Sequence, residues 1–485
     1  MAEQDESLRS KAVRGGRYLV LREAVGILLR SAGLLVLTRL IGPTQYGLFA
    51  GPQLVMLFLV AIAITGSDIF VIRRREELDE AWLHQVFSYL LVSSTTIAAA
   101  AIGVALLVGD RVGESGYLLP FVVLMASLPV NVLWIPGRVK LERAFDYRRL
   151  ATAELGGDVI QYALGVGLAL AGAGVWAAVW GFVARQAWLL LAVYVLSGYR
   201  PRWVWERARL REILAFGSIQ SATAVANRAG DLMIPLVVGA FLGARGVGIA
   251  ALALRLADTL SFVNRATYRL SIVTLGRTTG DPDMLRRGVE TAHPLQVIGV
   301  GVPLVGFCIA GTIAVPLFLG ESWRALILLF PLVALFQLLQ ALSTTPQAAL
   351  IVLGRHRALL YTNLVALALL FGLGWLLVPV LGLAGYGLTK VLALAAQYLS
   401  YRALQREIPG GVTYRTGVPW LVALAPPLFV PLVPLQLAPL LLLPAVTVLA
   451  SRRRRAELRS QVQLLRKKRG SQAPGPAGDS AEKSS

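Results

Sequence analysis

Apolar residues fill this chain in continuous stretches of roughly 20 residues, separated by short polar segments. A helix of that length crosses the hydrocarbon core of a bilayer, which is about 30 Å thick. The stretches do not alternate with period two, as membrane β-strands do. We therefore predict an all-α polytopic membrane protein with about 14 transmembrane helices, near residues 19–40, 47–65, 86–108, 117–136, 153–173, 174–196, 213–241, 246–267, 295–319, 325–353, 358–379, 382–402, 418–433 and 434–450. The last two are short and rich in proline, so a count of 12 or 13 is the alternative.

Basic residues test this helix count and give an orientation. Lysine and arginine concentrate in the N-terminal tail, in every second loop and in the C-terminal tail. The intervening loops carry at most one basic residue each, namely Arg39, Arg111, Arg245 and Arg324. By the positive-inside rule, both termini are predicted to be cytoplasmic. The net charge of +20 therefore reports orientation, and no nucleic-acid partner is expected.

Two glycine motifs recur along the chain and predict an internal repeat. Gly42 and Gly47 reappear as Gly243 and Gly248, 201 residues later, and the Ala-Gly pair ending at Gly174 reappears 211 residues later at Gly385. Both separations fit a six-helix offset, which predicts two parallel six-helix lobes with two helices appended. The predicted division is a cytoplasmic tail 1–18, an N-lobe 19–196, a linker 197–212, a C-lobe 213–402, two further helices 418–450, and a basic, then disordered, cytoplasmic tail 451–485.

Residues suited to catalysis or to metal binding are sparse. The single cysteine, Cys308, lies inside an apolar stretch, and the three histidines are far apart in sequence. Neither a metal site nor a cofactor is expected. The predicted outer loops are short and hold neither histidine nor paired carboxylates, whereas membrane enzymes that handle lipid-linked sugars need catalytic groups there. The sequence favours a protein that is not an enzyme.

Five motifs resemble the bacterial polysaccharide flippases, the Wzx-like transporters that belong with MATE exporters and the lipid II flippase in one superfamily. Each lies at a predicted helix end, and together they run in the family's order from about residue 17 to 402. They are Leu37 to Phe49, Leu141 to Ala151, Phe216-Gly217 with Asp231 and Leu242-Gly243, Leu319 to Trp323, and Ala349 to Arg355.

The resemblance implies a V-shaped pair of lobes that opens alternately to each side of the membrane. The implied cargo is an undecaprenyl-diphosphate-linked oligosaccharide, moved from the cytoplasmic to the outer leaflet, with no cofactor. Membrane lipids and the polysaccharide polymerase or glycosyltransferase machinery are the other implied partners. A lipid II flippase and a MATE-type drug or cation exporter are the alternatives, and the five motifs favour the polysaccharide family.

Charged residues inside the predicted spans are mostly basic, and such residues usually face a protein interior or water. We hypothesise that they form a cationic central cavity for the diphosphate, because guanidinium groups bind phosphate bidentately. The deepest in its span is Arg30. The candidates are Arg30, Arg39, Arg185, Arg228, Arg255, Arg265 and Lys390.

Structural roles compete with this hypothesis. Arg228 and Arg255 each lie three residues before an aspartate, Asp231 and Asp258, and could form ion pairs on one helix face. Arg39 and Arg265 lie near span ends and could extend toward the headgroups.

Three aspartates, Asp68, Asp231 and Asp258, are candidates for proton or sodium coupling, because a desolvated carboxylate can titrate near neutral pH. The predicted tenth helix carries a polar set that could bind sugar hydroxyls or join helices. This set is Gln337, Gln340, Thr344, Thr345 and Gln347.

Overall fold

The structure, a computed structural model, describes residues 2–73, 79–108, 116–276, 281–434 and 436–451. The side chains of residues 2–25 and of scattered helical positions lie outside this description, as does the predicted tail beyond Ser451. The described residues form helices and no strand. This confirms the all-α fold class, which follows because a backbone in lipid must satisfy its own hydrogen bonds.

Seventeen α-helices follow one another along the described part of the chain. In order, they are α1 (Ala2–Ile64), α2 (Ser67–Arg73), α3 (Glu80–Val108), α4 (Leu118–Ala126), α5 (Leu128–Leu133), α6 (Ile135–Arg143), α7 (Tyr147–Leu170), α8 (Val175–Ser197), α9 (Arg207–Ala229), α10 (Gly239–Leu260), α11 (Phe262–Gly276), α12 (Pro282–Phe318), α13 (Ala325–Val352), α14 (His356–Ala393), α15 (Gln397–Glu407), α16 (Val418–Leu424) and α17 (Ala438–Ala450). Short 3₁₀ and π turns connect some of them.

Eight described helical stretches are long and apolar enough to cross a membrane: Gly26–Ile64, Glu80–Leu107, Leu118–Arg143, Val175–Ser197, Gly230–Leu260, Pro282–Phe318, Ala325–Val352 and His356–Glu407. Two shorter apolar helices, Val418–Leu432 and Ala438–Val448, follow. The first and last of the eight, at 39 and 52 residues, each exceed the roughly 20 residues of one crossing. Each also contains a sharp bend, so one stretch corresponds to two predicted spans. The figure of 14 crossings stays a prediction.

The bends occur at glycines with positive φ. Gly42 in α1 has φ 74° and ψ 172°, and Gly243 in α10 has φ 63° and ψ −170°. This left-handed region carries little cost only for glycine. The two repeated motifs therefore have nearly the same backbone conformation, 201 residues apart.

The second repeated position needs a correction. Gly174, before α8, has φ 55° and ψ −125°, and its conformational counterpart is Gly382, with φ 57° and ψ −133°. Gly385, which the sequence comparison had paired with Gly174, lies inside helical backbone. Its absent Cβ instead makes room for the Leu377 carbonyl oxygen, which would lie 2.2 Å from that Cβ. Gly385 thus lets the two arms of α14 approach closely on either side of the bend at Gly382.

One large apolar core joins the two halves of the chain. It extends from Leu34 to Leu428 and includes the fully buried Trp323, Tyr46 and Tyr386. Helix α1 packs against α7, α8 and α10, and α16 packs against α12 and α17. The core therefore brings the first helix of the N-terminal half directly against the C-terminal half.

The backbone between α9 and α10 is irregular. A 3₁₀ turn at Gly230–Leu232 is followed by a π turn at Ile234–Val238. Pro235 cannot donate a hydrogen bond to the carbonyl four residues earlier, that of Asp231, which disfavours a regular α-helix at this point. This irregular segment positions Asp231 at the wall of a cavity.

Candidate functional site

Asp158 is the centre of a buried ionic group in the N-terminal half. Its side chain is 1% exposed and binds two arginines. Arg30 Nη1 lies 2.9 Å from Asp158 Oδ2, and Arg185 Nε lies 2.9 Å from Asp158 Oδ1. Arg185 also donates to Gln186 Oε1, at 2.8 Å. The two arginine side chains remain 35% and 23% exposed, so neither is fully buried by this pairing.

Small residues allow these side chains to approach. A Cβ on Gly33 would lie 2.3 Å from the Tyr162 ring, and one on Gly157 would lie 3.2 Å from Arg185 Cγ. A Cβ on Gly181 would lie 2.6 Å from the Gln161 carbonyl oxygen. Helices α1, α7 and α8 therefore pack closely enough to hold both arginines against one carboxylate.

Arg255 extends this group from the C-terminal half. It lies on α10 and interacts electrostatically with Tyr46, Tyr162 and Asp158. Tyr46 belongs to α1 and Tyr162 to α7, so this interaction joins the two halves. We call Arg30, Arg185, Arg255 and Asp158 the arginine group. With all four ionised, these side chains carry a formal charge of +2.

A separate cavity of about 560 Å³ lies entirely within the C-terminal half. Its lining residues fall between Ala226 and Gln397, on α9 to α11 and α13 to α15 with their connecting turns. Most of its polar lining is amide or hydroxyl. The polar uncharged residues on its wall are Ser261, Asn264, Tyr268, Gln337, Gln340, Thr344, Gln347, Asn363 and Gln397.

Three charged residues line the same cavity. Lys390 is 6% exposed, and its Nζ lies 4.7 Å from the Phe336 ring centroid and 5.9 Å from that of Tyr386. Asp231 pairs with Arg228 at 3.6 Å, and Asp258 accepts a hydrogen bond from Gln337. With one amine and two carboxylates, the cavity is not cationic.

The structure places the seven predicted cations in different surroundings. Arg30 and Arg185 bind the same carboxylate, Arg255 interacts with it electrostatically, and Lys390 lines the cavity of the C-terminal half. Arg39 is exposed and instead donates to the Leu317 carbonyl, at 2.7 Å. Arg228 is 52% exposed and paired with Asp231. Arg265 lies on α11, and its side chain falls outside the described residues.

The structural roles weighed for the in-span charges have different outcomes. Arg228 forms the i,i+3 pair with Asp231, as that interpretation requires. The electrostatic partners of Arg255 are Tyr46, Tyr162 and Asp158. Of the ion-coupling candidates, Asp231 and Asp258 line the cavity, whereas Asp68 begins α2 and is not part of the cavity wall.

The polar residues of the predicted tenth helix lie in two different surroundings. Gln337, Gln340, Thr344 and Gln347 line the cavity. Thr345 does not, and donates to Gln296 of α12 at 2.8 Å.

Sequence reasoning missed Asp158, Tyr46 and Tyr162. A signal for Asp158 was present, because a carboxylate within an apolar span is costly unless it has a partner. The partners themselves are 128 and 27 residues away, beyond any helical spacing rule. Tyr46 and Tyr162 resemble ordinary core residues until Arg255 is seen beside them.

Comparisons with known proteins agree with this architecture. The lipopolysaccharide biosynthesis protein WzxC of Escherichia coli (strain K12) is 24% identical over 347 residues, which cover 69% of this chain and 68% of that protein. The succinoglycan biosynthesis transport protein ExoT of Rhizobium meliloti (strain 1021) is 22% identical over 294 residues, covering 59% of this chain and 58% of its own length.

Two solved structures show the same fold. An inward-facing multidrug resistance MATE family transporter of the MOP superfamily aligns with a TM-score of 0.65 and 18% identity, over 81% of this chain and 98% of the other. The lipid II flippase MurJ, in an inward closed conformation, aligns with a TM-score of 0.65 and 10% identity, over 88% of this chain and 96% of the other. The MATE-like fold is thereby confirmed.

The sequence model described as "polysaccharide biosynthesis protein" matches residues 36–328. This range covers the arginine group except for Arg30, and the part of the cavity wall from Ala226 to Tyr268. It confirms the resemblance to polysaccharide flippases at the level of the family. Because the match exceeds half of the 485 residues, this multi-pass membrane protein belongs to the polysaccharide biosynthesis protein family.

Proposed function

We propose that this protein flips an undecaprenyl-diphosphate-linked oligosaccharide from the cytoplasmic to the outer leaflet by alternating access. The observation that carries the proposal is the arginine group, a set of three arginines around one carboxylate in an otherwise apolar interior. A diphosphate that leaves the headgroup layer loses its hydration and needs cationic donors in return. Guanidinium groups supply these donors in a planar, bidentate form.

Asp158 is suited to positioning these arginines rather than to neutralising them. One carboxylate balances only one of the three positive charges. Its two oxygens bind Arg30 and Arg185 separately, which fixes both guanidinium groups while leaving further N–H donors on each. A ligand that binds them thus needs little rearrangement of side chains.

Alternating access requires two units that move relative to each other. We propose the division into an N-lobe 19–196, a linker 197–212 and a C-lobe 213–402, with helices 418–450 appended. The equal conformations at Gly42 and Gly243, and at Gly174 and Gly382, support this division. Arg255 would then bring a C-lobe cation to an N-lobe site, so cargo binding depends on how the lobes meet.

The orientation belongs to the same proposal. We propose cytoplasmic N- and C-termini in a bacterial inner membrane, on the evidence of the loop charges. Transport from the cytoplasmic to the outer leaflet would supply the lipid-linked oligosaccharide to the polymerase or glycosyltransferase machinery on which polysaccharide synthesis depends. The naming of ExoT as a biosynthesis transport protein supports a transporter rather than an enzyme.

Ion coupling is a further element of the proposal. Asp231 and Asp258 line the cavity of the C-terminal half and are the residues we assign to proton or sodium binding. Asp68 is a weaker candidate, because it does not share that wall.

The acidic pair also supports an alternative, a MATE-type exporter of drugs or cations, because two carboxylates face one amine in this cavity. The fold is equally that of a lipid II flippase. These alternatives predict a different cargo, a cation or lipid II.

The decisive experiment measures flipping of fluorescent undecaprenyl-diphosphate oligosaccharide in proteoliposomes. We expect the wild-type protein to flip this lipid, and Arg30→Gln and Arg255→Gln to slow flipping at least about tenfold, because each removes charge-assisted hydrogen bonds worth about 1.5–3 kcal/mol. The matched control is Arg39→Gln, which removes an exposed arginine outside the group and should flip normally.

Melting temperatures identify any variant that fails to fold. Wild-type rates in all three variants would contradict the proposed role of the arginine group. Export of a cationic dye without any flipping of the oligosaccharide lipid would instead establish the exporter, and flipping confined to lipid II would establish the lipid II flippase.

A further inference from the structure

We propose that the cavity of the C-terminal half binds the glycan part of the cargo, by hydrogen bonds to the hydroxyl groups of uncharged sugar residues. This inference rests on the proposed function and assigns the two polar regions different parts of one ligand. The arginine group receives the diphosphate, and the cavity receives the sugars attached to it.

The composition of the cavity wall suits a sugar. Amide side chains can both donate and accept hydrogen bonds, as sugar hydroxyls do. Gln340, Asn363 and Gln397 lie on this wall with the hydroxyl-bearing Thr344 and Tyr268. The cavity volume of about 560 Å³ falls within the range of roughly 300–1,000 Å³ that small-molecule pockets occupy.

Two polar atoms on the cavity wall lack a hydrogen-bond partner within the described part of the protein. Ser261 is 3% exposed and lines the cavity, and its Oγ makes no hydrogen bond there. The same holds for the buried Oδ1 of Asn264, which also lines the cavity. Buried polar atoms are nearly always hydrogen-bonded in folded proteins, so an unpaired set on one wall indicates groups that a polar ligand satisfies.

The charges of the cavity favour an uncharged ligand over a diphosphate. Asp231 is engaged by Arg228, and Asp258 by Gln337. Lys390 lies over the Phe336 ring, where a cation is stabilised by the aromatic face. Each of these three charged side chains thus already has a partner within the protein, and the remaining lining residues are uncharged. A polyanion would meet two carboxylates and only one amine.

Helix α10 places the two proposed subsites next to each other. Leu254 and Asp258 line the cavity, whereas Arg255 belongs to the arginine group. Residues three or four apart on a helix have Cβ atoms about 5–6 Å apart. A diphosphate at Arg255 and the first sugar at Asp258 would therefore be adjacent, as the covalent bond between them requires.

Binding measurements on the purified full-length protein in nanodiscs separate the two subsites. The probes are undecaprenyl diphosphate and an undecaprenyl-diphosphate-linked oligosaccharide of neutral hexoses. We expect the wild type to bind the second more tightly. Gln340→Ala and Ser261→Ala should each weaken binding of the oligosaccharide lipid by about tenfold, the usual effect of losing hydrogen bonds to a buried ligand. Neither change should alter binding of undecaprenyl diphosphate.

A matched control is Thr362→Ala on α14, which removes a buried hydroxyl that bonds the Ala358 carbonyl and does not line the cavity. It should leave both affinities unchanged. Arg30→Gln should weaken both probes alike, because it acts on the diphosphate. Gln340→Cys gives an independent readout, since the native Cys308 is buried. The oligosaccharide lipid should slow maleimide labelling of Cys introduced there, and undecaprenyl diphosphate should not.

The outcomes distinguish the two proposals. If the cavity variants weaken both probes equally, or neither, or if the wild type binds the two probes with equal affinity, the glycan subsite is wrong and the flippase proposal stands. If the wild type binds neither probe, the proposed function fails, and the subsite fails with it.

Discussion

Gly47 and Gly248 meet in a backbone contact that leaves no room for a side chain on either residue. A Cβ on Gly47 would lie 1.7 Å from the Ala244 carbonyl oxygen and 2.9 Å from Gly248 N. A Cβ on Gly248 would lie 2.0 Å from the Pro43 carbonyl oxygen and 3.0 Å from Gly47 N. The contact is reciprocal, and each glycine follows a bend glycine by five residues. The repeated motif therefore joins the two halves of the chain as well as shaping each.

Replacing either glycine by alanine should loosen this junction. Gly47→Ala and Gly248→Ala each force a methyl group into a carbonyl oxygen, and overpacking of this kind costs about 1–3 kcal/mol. We expect a lower melting temperature in detergent for both. Gly103→Ala is the control, because its Cβ would meet nothing within 4 Å and alanine favours a helix. Equal melting temperatures for all three variants would show that the junction contributes nothing to stability.

Trp323 adds a second contact across the same junction. Its side chain is 0% exposed, its Nε1 donates to the Thr38 carbonyl at 3.2 Å, and its ring meets Tyr46 edge-on with 6.0 Å between centroids. We expect Trp323→Phe to destabilise the protein by about 1–2 kcal/mol through the lost hydrogen bond. Trp323→Ala should cost about 3–5 kcal/mol, because it also leaves a cavity. Thermal unfolding shows which variant is less stable. A Trp323→Phe variant less stable than Trp323→Ala would contradict this account.

The helical architecture could be predicted because its cause is local. A backbone within lipid forms helices, and apolar stretches mark where they lie. The bends at Gly42 and Gly243 were also readable, since glycine is the residue that accepts positive φ. The bend at Gly382 could not be predicted in this way. Gly382, Gly385 and Gly387 occur within six residues, and packing against Leu377 determines which of them stays helical.

The site was less predictable, because its pairs are distant in sequence. Helical spacing correctly suggested Arg228 with Asp231, three residues apart. The same rule suggested Arg255 with Asp258, yet the electrostatic partners of Arg255 are Tyr46, Tyr162 and Asp158, on α1 and α7. No local pattern connects Arg30 to Asp158, 128 residues away. The sequence shows which residues inside the spans are charged, whereas the packing of the helices determines which of these residues lie together.

Neutralising Asp158 should destabilise the protein strongly. Asp158→Asn removes the carboxylate charge that binds both Arg30 and Arg185. Breaking a buried ion pair costs about 3–5 kcal/mol, and the partial exposure of both arginines favours the lower end. The control is Glu321→Gln, which breaks an exposed pair with Arg324 of 3.5 Å and should cost at most about 1 kcal/mol. Denaturant titration compares the two, and an equal loss would contradict the central role of Asp158.

Asp258→Asn tests whether the cavity of the C-terminal half couples transport to an ion gradient. The amide keeps the shape of the side chain but cannot exchange a proton or offer a full negative charge to sodium. We expect collapse of the proton and sodium gradients to slow flipping by wild-type proteoliposomes. The Asp258→Asn variant should flip at rates within about twofold of each other with and without the gradients, because its coupling group is gone. Asp68→Asn lies outside the cavity wall and should retain the gradient dependence of the wild type. Wild-type flipping that ignores both gradients would remove ion coupling from the mechanism, and gradient dependence lost in Asp68→Asn alone would move the coupling site to α2.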